Sequence, residues 1–441
     1  MTKLTRVISV LAATSLSATA FVTIAAPSAI AASSSTKTLV IASDLPLDPT
    51  DFDSNDSTNK AIELYLKEIG YKAGKYKVSF KVYDDSTASA GAWDPSQCAT
   101  NAQEHVADKA EVAVMGTYNS GCAKIEVPIL NQDPSGSMLM VSDANTNPGL
   151  TKAWNPGEPD IYYPTGLRNY ARVCTTDDQQ GAAGAEFLKS VGVKNVYVLN
   201  DTQTYGQGVA QAFTTKAKAI GLNVLSSGPY GEGWDPTQTD YTALFQKIQG
   251  IFSSSDAPGT DAIYAGGIYT NNGATLIKDK VAVLGDNTKV RFMAPDGFTG
   301  YPAFNSAPEA QGAYLSFAGL SNTLLTKSQP HGTAAKFLAA YQKAYGKAPT
   351  GSYPIYGVAA VQVILAAIAK SNGTRKSVTS QVFSGTGITI PAATSVLGKA
   401  VHISTGQGTE TVAAGDTTAK DITIEQVQNN NENTLEAWTV K

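Results

Sequence analysis

The sequence predicts an α/β protein made of two lobes, each a parallel sheet with helices on both faces. Apolar, β-rich runs alternate with segments of helical periodicity along most of the chain, the pattern of repeated βα units. Within 151–166 the alternation lapses into WNPGEPDIYYPTG, rich in Pro and Gly, and then begins again, which divides the units into two series. A chain of 441 residues with 42% hydrophobic content is also longer than one core organises. The charge balance excludes other roles: 33 Lys plus Arg against 37 Asp plus Glu, a net of -4, provide no basic surface for nucleic acid or an anionic membrane.

Residues 1–32 stand outside the fold argument. Lys3 and Arg6 precede an apolar stretch at 7–26, and Ala29-Ile30-Ala31 offers the small-x-small pattern of a signal peptidase site. A cleaved secretory signal is expected, which makes the mature protein extracytoplasmic. A retained anchor fits less well, because Thr14, Ser15, Ser17, Thr19 and Thr23 interrupt the apolar stretch. No Cys lies near the expected cut, so no lipid-anchor cysteine is expected.

After the leader, TLVIA at 38–42 reads as a buried strand, and Ile62, Leu66 and Ile69 at helical spacing place a helix over 59–69. Residues 77–83 alternate as a strand, 94–107 read as a helix, and strands follow at 111–115 and 137–141. In the second series strands are expected at 170–174, 195–199, 222–226, 262–265, 290–294 and 313–317, with helices at 179–190, 206–220, 241–252 and 273–284. Helices at 333–345 and 355–369 come next. The second contains VAAVQVILAAIA, apolar nearly all round and too short to span a bilayer, so it is expected to be a core helix. The tail from Val396 is β-rich, with strands at 422–427 and 435–440. The expected division is 33–174 with 318–395 for lobe I and 175–317 with 396–441 for lobe II, and the lobes close by a hinge at crossings near Thr175, Ala318 and Val396.

The stretch 115–151 contains two units in which a strand ends in a polar loop of Gly, Ser, Asn and Thr. In an open α/β sheet that strand edge is where ligands bind, because helix N-termini there offer unpaired N–H groups and partial positive charge. Ser120 and Thr146 add hydroxyl donors suited to a carboxylate; the alternative is that both merely cap helices. Export lets thiols pair, and Cys98 and Cys122, flanking one strand, are expected to form a disulfide, leaving Cys174 as a buried thiol. No metal spacing exists among the cysteines and His105, His331 and His402. Tyr205-Gly206-Gln207-Gly208 is a truncated dinucleotide fingerprint with Gln211 in place of its third Gly, so no nucleotide cofactor is expected. Trp93, Trp154 and Trp234 read as packing residues of surface turns, without a ligand role.

The combination VMGTYNSGCAKIEVPILN, MVSDANTNPGLT, RVCTTDDQQGAAGAEFL, VYVLNDTQTYGQGVAQAF, YAGGIYTNNG and FMAPDG resembles the branched-chain amino acid (Leu/Ile/Val) binding proteins of ABC transporters, which have the type I periplasmic binding protein fold. The resemblance implies two Rossmann-like lobes joined by three crossing segments and capture of an amino acid or similar zwitterion without chemistry. It also implies delivery to an ABC transporter permease and a monomer without cofactor. Residue by residue, it implies that Ser120, Ala144 and Thr146 hold the ligand carboxylate and that Tyr205 in DTQTYGQG faces the cleft. Asp296 in MAPDG would bind the ammonium, standing where many amino acid binders carry Glu, while Tyr269 would reach the ligand from its loop and Tyr353 close the side of the pocket. Two other readings remain: a hydrolase of amino acid derivatives with Ser120 as nucleophile, for which none of the three histidines lies in an expected cleft loop, and the sensing domain of a receptor.

Overall fold

The computed structural model describes residues 37–48, 52–253 and 257–441; the expected signal at 1–32 lies outside the described residues. Strands β1 (Thr38–Leu45), β2 (Tyr76–Asp84), β3 (Glu111–Gly116), β4 (Leu139–Ser142) and β5 (Tyr170–Arg172) form the first sheet in the order β2-β1-β3-β4-β5, all parallel, with the short strand Lys72–Ala73 antiparallel at the β2 edge. Helices α1 (Phe52–Glu68), α2 (Pro95–Ala107) and α3 (Ser120–Asn131) connect them. Helix α1 begins earlier than the apolar spacing predicts. Its first turns carry Ser54, Asn55, Ser57, Thr58 and Asn59, polar yet buried, because partners such as Pro46 O for Asn55 Nδ2 (2.8 Å) and Asn59 Oδ1 for Ser43 Oγ (2.7 Å) satisfy them.

The second sheet takes β6 (Asn195–Asn200), β7 (Asp261–Gly266), β8 (Val290–Ala294) and β9 (Tyr314–Phe317) in parallel, then β10 (Ile422–Gln428) and β11 (Asn431–Trp438) antiparallel at its far edge. Its helices are α4 (Asp177–Ser190), α5 (Thr204–Ala219), α6 (Thr242–Ile251) and α7 (Gly273–Leu284). The chain therefore has the two-lobed α/β architecture with parallel sheets, plus one antiparallel hairpin that periodicity alone leaves undirected. Helices α8 (Thr333–Tyr345), α9 (Tyr353–Lys370) and α10 (Arg375–Phe383) then pack on the first sheet's side, α9 buried along most of its length against α1 and the strands. Val396, Val401 and Ile403 also enter this first core, and the chain rejoins the second sheet only at Ile422. Where the lobes meet, Thr175 N donates to Ala318 O (2.9 Å) and Thr175 Oγ1 to Asp421 O (3.0 Å), so three chain segments run side by side.

Cys98 on α2 and Cys122 on α3 are bridged, with Cα atoms 5.6 Å apart, and Cys174 is a buried free thiol. The bridge fastens two helices that start independently: Asp94 caps α2 by accepting from Ser96 N and Gln97 N, with Pro95 at the first helical position. Replacing both bridged cysteines by Ser is expected to lower stability by about 3 to 4 kcal/mol on the chain-entropy model. Urea unfolding of parent and variant measures it. Denatured, unreduced parent protein should show a single reactive thiol, and three would overturn the pairing.

Behind the same helices lies a fully buried group of Asp44, Asp85, His105, Glu111 and Glu126. His105 Nε2 meets Asp44 Oδ2 at 3.0 Å and Nδ1 meets Glu111 Oε1. Burial alone would lower the imidazole pKa, but bonding to Asp44 and Glu111 outweighs it and lifts the value to about 9. The folded value is above the unfolded one of about 6.5. The resulting stabilisation is complete below about pH 6.5 and is lost as pH rises through about 9, a decline of about 2 to 4 kcal/mol. Denaturant unfolding from pH 6 to 10 should show this fall, and a flat profile would rule it out.

Candidate functional site

The first lobe contributes the carboxyl ends of β3 and β4. β3 ends at Gly116, where only Gly fits: φ is +148° and a Cβ would lie 2.5 Å from Asp44 O. The chain then turns into α3, whose N-cap is Asn119 rather than Ser120. Ser120 Oγ instead accepts from Asn147 N at 3.3 Å. Ser142, ending β4, donates to Thr117 O (2.9 Å) and accepts from Asn145 N (2.8 Å), tying the two loops together. Asn147 caps the turn Pro148–Leu150 through Gly149 N (3.0 Å). Neither Ser120 nor Thr146 therefore serves as a helix cap.

Arg172, fully buried on β5, holds the second loop from behind. It donates to Asn145 O (2.7 Å), Asn147 O (2.9 Å) and Thr151 Oγ1 (2.6 Å), and pairs through Nε with Asp416 (2.8 Å). Because Arg172 is fully buried, an acceptor that loses one of these bonds pays the cost of an unsatisfied buried group.

The second lobe supplies an acid between two phenols. Asp296 opens a short turn after β8, and Tyr205, in the first turn of α5, donates to its Oδ1 at 2.7 Å. Tyr353, the first residue of α9, donates to Oδ2 at 2.6 Å, a bond that joins the two lobes. Burial raises the Asp296 pKa, while the hydroxyls of Tyr205 and Tyr353 act against that rise. Burial, followed by the nearby Asp296 charge, keeps both phenols far above the range in which they ionise.

Between these edges is a cavity lined by Tyr118, Asn119, Ser120 and Ala144 from the first lobe and by Tyr205, Ile268, Asp296 and Gly297 from the second. Of the residues expected from sequence, Ser120, Ala144, Tyr205 and Asp296 line it, and Tyr353 is one bond away through Asp296. Thr146 is fully buried with its hydroxyl toward Asp177, whose own pKa burial drives well up. The ring of Tyr269 packs with Tyr301, Phe304 and Phe298, and the member of its loop that lines the cavity is Ile268. Tyr118, edge-on to Tyr353 at 5.6 Å, is the largest lining residue the sequence reading missed. Its place two residues before Ser120, on the same loop, was the available signal.

Two groups of metal-ligating residue types come close together among the described residues. One is Asp85 with the bridged Cys98 and Cys122, whose sulfurs are consumed by the disulfide; in the other, Asp44, His105 and Glu126, both imidazole nitrogens already face carboxylates. Neither offers an open coordination set. Trp93 and Trp234 are not lobe-surface packing: Trp234 is 1% exposed, with its indole N–H on Asn271 O (2.8 Å), and Trp93 donates to Gln203 Oε1 across the cleft (3.0 Å).

Residues 49–420 match the family model described as periplasmic binding protein. A Leu/Ile/Val-binding protein of Rhizobium johnstonii is 27% identical over 354 residues, covering 80% of this chain and 83% of that protein. The leucine-specific-binding protein of Salmonella typhimurium is 26% identical over 309 residues, 69% of this chain and 72% of its own length. Among solved structures, a leucine binding protein from Thermotoga maritima superimposes with a TM-score of 0.69 at 20% identity, covering 91% of this chain and 99% of that one. A solute binding protein from R. palustris in complex with 4-hydroxybenzoate has a TM-score of 0.71 at 17% identity, covering 91% and 97%.

Proposed function

The chain belongs to the periplasmic binding protein family, and from that premise we propose that it captures an amino acid or similar small zwitterion outside the cytoplasm and hands it to an ABC transporter permease, acting as a monomer without catalysis. One observation carries the ligand class. The cavity faces a buried acid, Asp296, with the N-terminus of α3 and the Ser120 hydroxyl, and contains no Lys or Arg among its lining residues. An ammonium matches the acid, while a carboxylate matches the helix end. Ala144 completes the carboxylate side, Thr146 supports that loop from beneath, and Tyr205 and Tyr353 orient Asp296. Tyr269 acts by holding Ile268 against the ligand. Lobe I comprises the first sheet with α8 to α10, and the third crossing lies at Asp421, since Val396 packs in the first core. Export by cleavage near residue 32 belongs to the same reading.

The second reading is an aromatic acid, suggested by the 4-hydroxybenzoate complex of the R. palustris relative and by Tyr118, Tyr205 and Tyr353 around the cavity. It would set a carboxylate without an ammonium near Asp296, an unfavourable pairing of like charges. Thermal-shift measurements against amino acids, their amides and hydroxybenzoates decide between the two, since a ligand that binds the folded form raises apparent stability by RT ln(1 + [L]/Kd). Stabilisation by amino-bearing ligands supports the zwitterion. Stabilisation by hydroxybenzoates alone would replace it.

A further inference from the structure

A two-stranded hairpin, Ser86–Thr87 with Ala92–Trp93, projects from the first lobe between β2 and α2. Its last residue, half-buried Trp93, lies on the first turn of α3. A Cβ on Gly121 would come within 2.5 Å of Trp93 Cη2 and 2.7 Å of Cζ2, so the indole rests where only a Gly leaves room. Its N–H reaches Gln203 Oε1 in the other lobe at 3.0 Å. Gln203 is the N-cap of α5, and its backbone N donates to Asp201, which also accepts from Ile268 N and Asn271 Nδ2. The acceptor is thus fixed to the same frame as the cavity residues Tyr205 and Ile268. A second bond reaches the same turn: Asn147 Nδ2 donates to Thr204 O at 3.2 Å.

We infer that Trp93 is a positioning residue for the ligand: its indole covers the N-terminal turn of α3 and bonds Gln203 across the cleft, so that ligand leaves only after this latch opens. The inference rests on the ligand reading above for what is retained, but the latch itself is a contact between lobes and can be tested alone. Covering the helix end with an aromatic ring also removes water from its N–H groups, which strengthens their hold on an anion. The indole bond forms after the lobes meet, so its loss acts on escape rather than encounter.

The test uses the full chain labelled with 5-fluorotryptophan, which has four Trp residues, and Trp93→Phe to identify one fluorine resonance. In Gln203→Leu without any ligand, the Trp93 resonance should move while the other three stay; an unmoved resonance overturns the latch. With the tightest amino acid of the panel, stopped-flow dissociation should be roughly three- to tenfold faster in both Trp93→Phe and Gln203→Leu, the loss of one neutral hydrogen bond. Association should stay within about twofold. Gln203→Glu, which keeps an acceptor, should restore slow release. Equal dissociation rates in parent and variants would overturn the retention role with ligand binding intact, whereas failure of every zwitterion to bind the parent would remove the ligand reading and leave the resonance comparison to decide the latch.

Discussion

Asp296→Asn is expected to weaken binding of an amino-bearing ligand roughly thirtyfold or more, as truncating one member of a buried charge pair costs about 2 to 5 kcal/mol and each 1.4 kcal/mol is a factor of about ten. Both oxygens of this carboxylate accept phenol hydroxyls, from Tyr205 at 2.7 Å and Tyr353 at 2.6 Å. An amide nitrogen in place of one oxygen would confront one of these donors with another donor. The variant therefore loses the charge and one of the two phenol bonds while hardly changing volume. Titration calorimetry with the best ligand of the panel measures the effect. An affinity within about threefold of the parent would remove the ammonium role, because below about 0.7 kcal/mol no buried charge pair is being broken. The raised pKa of Asp296 has its own consequence. Binding that needs the carboxylate ionised is lost on acidification earlier than an ordinary Asp would allow.

Arg172→Met is expected to destabilise the protein by about 3 to 5 kcal/mol, the cost of leaving a buried charge without its partner. The guanidinium is fully buried, and Asp416, 4% exposed, would lose the cation it pairs with. The carbonyls of Asn145 and Asn147 and the hydroxyl of Thr151 lose their donors as well. These groups shape the loop that carries Ala144 and Thr146, so ligand affinity should fall along with stability. Urea unfolding of Arg172→Met and of the double variant Arg172→Met with Asp416→Asn tests the cause. The double variant should recover part of the loss, since it no longer strands a carboxylate. A single-variant loss under about 1 kcal/mol would show that the pair contributes little.

How much of the site was legible in the sequence follows from how each residue acts. Ser120 was legible from a polar loop at a strand end, whereas Ala144, Tyr205 and Asp296 were implied by the family resemblance. All four sit within two residues of a strand or helix end, so a short motif there fixes the side chain's position. Tyr269 and Ile268 are neighbours at one turn, closed by Asn271 N on Ile268 O at 3.1 Å, and their side chains part, Ile268 to the cavity and Tyr269 to Tyr301, Phe304 and Phe298. A one-residue choice there decides between the cavity and an aromatic cluster, and the local pattern does not make it. Helix α10 was missed for a different reason. Arg375, at its start, spends its donors on the carbonyls of His105, Val106, Asp108 and Glu111 and on Asp133, distant partners that no local period reveals.

The sequence by itself determined the βα alternation, the division into two series, the strand ends where a small ligand meets backbone N–H groups, and the closeness of Cys98 to Cys122. All of these follow from local propensity and from the period with which apolar residues recur. Only the tertiary structure decided that Asp296 is shared by phenols of both lobes, that Trp93 reaches Gln203, that Arg172 pairs with Asp416, and that the segment from Val396 divides between a first-lobe core and a second-lobe hairpin. The side-chain bonds among these join residues from 57 to 244 positions apart along the chain. Apolar burial depends on each residue's own chemistry and leaves a periodic trace, whereas a hydrogen bond between distant segments depends on direction and on which partner arrives, and leaves none.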